Sequence, residues 1–137
     1  MSNLDQLIHY AYEGFSQTAG IPELPQEAFE TVRRALTMEV GDFMDHFARR
    51  VAHQYFASNL SYEVADCALN SLSMYCLSHY DVNLPSYADD VYHAFDQGEY
   101  VHANDEAGTD PEIKYTKPAI FALVTRDRIL GYGLGRA

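Results

Sequence analysis

The sequence predicts an all-α fold, a compact single-domain bundle of about five helices. Three observations carry this: apolar residues recur with helical rather than strand periodicity, cap residues and prolines stand where those stripes begin, and no stretch shows sustained strand alternation. The chain has 137 residues, 47% of them hydrophobic and 21% charged, enough to bury a core without a disulfide or metal to hold it.

Leu4, Leu7, Ile8, Ala11, Tyr12 and Phe15 form the stripe of a first helix that ends near Gly20. Pro22 and Pro25 mark the connection, and Pro25 suits the opening of a second helix, where a missing N–H is harmless. Phe29, Val32, Leu36, Val40, Phe43, Phe47, Val51 and Tyr55 keep the helical period to the end of that segment, predicting one long helix or two segments hinged at Gly41. Asn59 and Ser61 offer a cap for a third helix with Val64, Ala65, Ala68, Leu69, Leu72 and Cys76 on its apolar side. Ser86 and Asp89 have capping-box spacing at the start of a fourth helix, which Gly98 stops. From Glu99 to Asp110 the chain reads as a long acidic loop, and Pro111 suits a further turn of helix. Thr116 and Pro118 then open a fifth helix through Ile120, Phe121, Leu123 and Val124; Ala119 and Ala122 favour it over a strand. Residues 1–130 make the single domain, and 131–137, with Gly131, Gly133 and Gly135, a loose tail.

Charge is distributed unevenly. Between Arg50 and Lys114 there is no lysine or arginine, but there are eleven carboxylates: Glu63, Asp66, Asp81, Asp89, Asp90, Asp96, Glu99, Asp105, Glu106, Asp110 and Glu112. Elsewhere nine acids balance nine bases, so this segment carries the whole net charge of −11. A regional field of that sign steers basic partners and disfavours nucleic acid, although an acidic surface also serves solubility alone. Arg33, Arg34, Arg49 and Arg50 lie at helical spacing, suited to answering the protein's own acids. No apolar run reaches a membrane-spanning length, and the N-terminus lacks a signal-peptide pattern, so a cytoplasmic protein is expected.

Signatures of chemistry are weak. Asp42 with His46, and Asp90 with His93, could share helix faces near Glu39, Asp45 and His53, but neither gives the Glu-x-x-His pattern of a di-metal bundle. The aromatic neighbours of Asp42 and Asp45 leave both acids on the polar side of their helix. Cys67 and Cys76 are nine residues apart on one predicted helix, roughly 13 Å between Cα atoms, too far for a disulfide. They are expected to be buried thiols. The serines lack a nucleophile elbow, and the C-terminal glycines have no strand or helix to make a nucleotide loop. No catalytic residue, metal or cofactor is expected.

The stretch from Asp90 to Tyr100, DVYHAFDQGEY, interleaves acids with aromatics, a composition suited to a basic partner with apolar pockets. Tyr75 and Tyr92 are expected to be core residues whose hydroxyls reach the surface. The candidate binding face is Asp89, Asp90, Tyr92, Asp96, Glu99 and Tyr100, with Asp105, Glu106 and Asp110 as a second acidic rim. In size, charge and this acidic, aromatic stretch, the chain resembles the immunity proteins of bacterial contact-dependent inhibition and related polymorphic toxin systems. The resemblance implies a non-enzymatic inhibitor that occludes the basic active site, or a neighbouring exosite, of a cognate toxin, a nuclease in the first instance. Two alternatives remain open: a DNA mimic that inhibits a restriction or CRISPR effector, which needs acids in spaced rows, and a small-ligand-binding helical bundle.

Overall fold

The computed structural model describes residues 2–17 and 24–132. Their regular elements are all helical: α1 (Asn3–Gln17), α2 (Gln26–Ala35), α3 (Val40–Phe56), α4 (Tyr62–Tyr80), α5 (Ser86–Gln97), a π-helical turn (Glu112–Thr116) and α6 (Lys117–Ile129). The predicted end of the first helix near Gly20, its connection at Pro22, the place of Phe15 on the stripe and the tail beyond Tyr132 lie outside the described residues or side chains. Among the described residues there is no strand, and no helix is long and apolar enough to cross a membrane.

Six α-helices replace the predicted five because the long second segment breaks at 36–39, ahead of Gly41. Thr37 takes a left-handed conformation (φ 56°), its N–H bonds back to Arg34 and the Met38 N–H to Arg33. Arg33 Nη1 then donates to the Met38 carbonyl at 2.9 Å, clamping the turn. A β-branched residue is costly at positive φ, so this side-chain clamp and the two turn bonds hold a break that glycine chemistry did not signal. Gly41 lies inside the first turn of α3.

The core is built from Leu7 and Ile8 of α1, Phe29 of α2, Phe43, Met44, Phe47 and Val51 of α3, Leu69 and Leu72 of α4, Val91 and Phe95 of α5, and Ile120 of α6, all fully buried. Each such side chain contributes about 1.5–3 kcal/mol relative to exposure. Phe29 meets Phe43 edge-on at 4.9 Å, seating α2 across α3, and Tyr55 meets Phe95 at 5.0 Å between α3 and α5. α4 packs on α3 and α5 as well as α1; α6 packs on the same α3–α5 pair but makes little contact with α4. The α3–α5 pair therefore separates α4 from α6.

Helix ends depart from the predicted caps in two places. Ser61 caps α4, accepting from the Val64 N–H at 3.2 Å. Ser86, however, is already inside α5, and Pro85 stands at its cap without a side-chain bond, so the Ser86–Asp89 capping box does not form. Asp45 of α3 instead reaches across and accepts from the Ala88 N–H at 2.9 Å. This corrects the placement of Asp45 on a solvated face: it caps a neighbouring helix. Thr116 likewise gives no cap to α6, because the π-helical turn runs into α6 with helical backbone on both sides. Its hydroxyl donates to the Ala94 carbonyl at 2.7 Å, beside Gly98. A Cβ at Gly98 would stand 2.1 Å from Thr116 Oγ1, so glycine there allows α5 and the π-helical turn to close.

Candidate functional site

Tyr62, Asp66 and Asn70 recur every fourth residue on α4 and face the last turn of α5. Tyr62 donates to the Phe95 carbonyl at 2.6 Å, and Asn70 Nδ2 donates to Glu99 Oε2 at 3.4 Å. Between these two contacts Asp66 stands against Glu99 and in the field of Asp96. Burial, then the hydrogen bond to Glu99 and the charges of Glu99 and Asp96, push the Asp66 carboxyl up to about 8. Asp66 thus retains a proton near neutral pH beside its acidic neighbours. Asp96 and Glu99 also lie at the C-terminal end of α5, whose last turn holds no basic residue, so the helix dipole opposes them.

Three carboxylates elsewhere in the fold have cations. Asp5 pairs with Arg50 at 2.8 Å, Glu30 with Arg33 at 2.8 Å, and Asp127 with Arg49 at 3.3 Å. Among the described residues, Asp66, Asp96 and Glu99 form no ion pair with lysine, arginine or histidine. Nor is any group of three or more His, Cys, Asp and Glu side chains among those residues placed to hold a metal ion. Tyr92, half-buried on α5, is raised by burial and then by Asp96, Glu99, Asp66 and Asp89, so the same field extends along the helix. Asp89 is within 3.4 Å of His93, displacing the expected Asp90–His93 pairing, and Asp90 is exposed.

The second rim divides. Asp105 is held by Lys114, by the Tyr115 hydroxyl at 2.6 Å and by the His102 N–H at 2.9 Å. The Lys114 and Tyr115 bonds draw its carboxyl down to about 2. It is an internal anchor for residues 98–110. Asp110 accepts from the Glu112 N–H at 3.0 Å and so caps the π-helical turn, while the Glu106 side chain is exposed. Tyr100 stacks on His102 at 4.3 Å, and His102 on Tyr115 at 4.1 Å, which presents a half-exposed Tyr100 beside Glu99. The structure therefore brings together Asp89, Tyr92, Asp96, Glu99 and Tyr100, and it adds Tyr62, Asp66 and Asn70. Their four-residue spacing on α4 was the available signal.

The other polar centre is buried. Asp127 Oδ2 accepts from Tyr87 at 2.5 Å and His53 Nε2 at 2.8 Å. The Arg49 guanidinium lies between the Tyr87 and Tyr132 rings, 4.1 and 4.0 Å from their centroids. Asp127 and His53 are 1% and 3% exposed, so no substrate reaches them. His46 is lowered by burial and by Arg49 and Arg50, and Asp42 points to solvent apart from it. The Tyr75 hydroxyl, expected at the surface, is buried without a hydrogen-bond partner, because its ring lies in the stack of Phe29 and His79. Cys67 and Cys76 are buried free thiols, and burial pushes Cys76 up to about 12. A groove of about 500 Å³ between α1 and α2, bordered by Leu7, Tyr10, Ala28 and Val32, lies away from both polar centres. Compared with family models, curated proteins and solved structures, the chain matches none of them.

Proposed function

We propose that this protein is a non-enzymatic, immunity-like inhibitor that binds and neutralises a basic toxin domain, in the first instance a nuclease, through the α4–α5 face and Tyr100. The observation that carries the reading is the packing of Asp66 against Asp96 and Glu99 with no ion pair among the described residues, where burial first and then these two acids raise the Asp66 carboxyl. A lysine or arginine from a partner relieves that repulsion, displaces the proton and leaves a desolvated ion pair. Tyr92 and Tyr100 supply contact area at low entropic cost beside it. The concentration of these acids at one end of the α4–α5 pair, with Asp105 occupied internally, supports a local patch over the spaced rows that a DNA mimic requires.

Affinity capture from the source lysate at about 50 mM and about 500 mM salt, read by mass spectrometry, tests this reading. The expected catch is one small basic domain whose toxicity co-expression suppresses. Asp96→Lys with Glu99→Lys is expected to reduce that catch at least about tenfold and flatten its salt dependence. Equal capture by the variant would sink the proposed face.

A further inference from the structure

The outer side of α6 carries a second surface of opposite character. Phe121 and Ile129 of α6 are 57% and 80% exposed, and Leu130, just past the helix, is 66% exposed, unusually open for large apolar side chains. Phe121 leans on Phe56 at 6.0 Å, and Arg128 lies over the Phe56 ring at 5.2 Å, so apolar and cationic groups form one surface. Arg126 and Arg128 are exposed, and among the described residues neither forms an ion pair. The one acid of α6, Asp127, points into the core. This helix therefore presents cations and apolar groups outward without a compensating carboxylate.

The occupant must be acidic and offer apolar contact. Two copies of this chain, each at −11, repel at long range, so any contact between them rests on short-range complementarity of local patches. A protein surface with unpaired acids beside exposed aromatics has the required chemistry, and the chain itself carries one at Asp96, Glu99 and Tyr100. We infer that the basic, apolar face of α6 docks on the acidic α4–α5 face of a second copy of this chain. Because the α3–α5 pair separates α4 from α6, the contact is between unlike faces, and copies add head to tail. A basic partner on the acidic face competes directly with this self-association.

Sedimentation of the full chain across about a hundredfold range of concentration, at about 50 mM and about 500 mM salt, tests the inference without any partner. As concentration rises the weight-average mass climbs from 15.5 kDa to twice that value or beyond at one or both salts, because salt screens the net repulsion between copies as well as the patch contact. Arg126→Glu with Arg128→Glu, or Asp96→Lys with Glu99→Lys, gives a monomer with an unchanged circular dichroism spectrum. An equimolar mixture of the two variants associates again. If either reversal misfolds, the neutral pairs Arg126→Gln with Arg128→Gln and Asp96→Asn with Glu99→Gln replace it. A wild-type mass fixed at 15.5 kDa, a folded variant that still associates, or a mixture that stays monomeric overturns the docking. Each readout is blind to toxin binding, so its failure leaves the inhibitor reading to its own test.

Discussion

Asp66 and Asp127 are both carboxylates withdrawn from water, and their surroundings treat them oppositely. Asp127 accepts from Tyr87 and His53 and pairs with the Arg49 guanidinium at 3.3 Å, so Asp127→Ala leaves half-buried Arg49 without its counter-charge and is expected to cost about 3–5 kcal/mol in urea unfolding. Asp66 is surrounded by acids. Its folded carboxyl titrates near 8, above the unfolded value near 4, so the native state binds the extra proton. The associated stability is fully present below about pH 4 and is lost as pH rises to about 8. Asp66→Asn removes that loss, and its melting temperature should exceed that of wild type by a margin that grows between about pH 4 and about pH 8 in thermal scans. Charge counting along the chain found the acidic region. It did not single out Asp66, whose partners Asp96 and Glu99 lie on and just past the end of α5 and are joined to it only by packing.

At the scale of elements, periodicity placed the helices and local chemistry misplaced several of their ends. Stripes such as Leu4–Leu7–Ile8–Ala11 are set by one helix burying one face, and this is legible without a partner. Caps are legible only when the donor and acceptor are neighbours in sequence, as Ser61 and Val64 are. Asp45 capping α5 from α3 spans 43 residues, and no motif encodes it. Asp45→Ala is therefore expected to cost about 0.5–2 kcal/mol by chemical denaturation, whereas Ser86→Ala stays within about 0.5 kcal/mol. The break at Thr37 was hidden for a related reason: an arginine reaching past the helix end holds it, while Gly41, the residue with the conspicuous freedom, continues a helix.

The whole molecule divides its charge by face. Acids gather where α4 meets α5, and exposed arginines stand on α6 across the α3–α5 pair. The net charge of −11 is consequently a local self-repulsion, and added salt should relieve it: raising sodium chloride from about 20 to about 200 mM is expected to raise the melting temperature, less so in Asp96→Lys with Glu99→Lys. Differential scanning calorimetry reads both. That asymmetry was visible in the sequence as a missing run of basic residues, while the sidedness of α6 depended on Asp127 turning inward. Cys76 brings a different consequence. Its sulfur lies 3.0 Å from Met44 Sδ, sealed between α4 and α3, and burial keeps it a thiol. An alkylating reagent reaches it only when those helices part, so the labelling rate of this one native atom clocks the opening of the core from within.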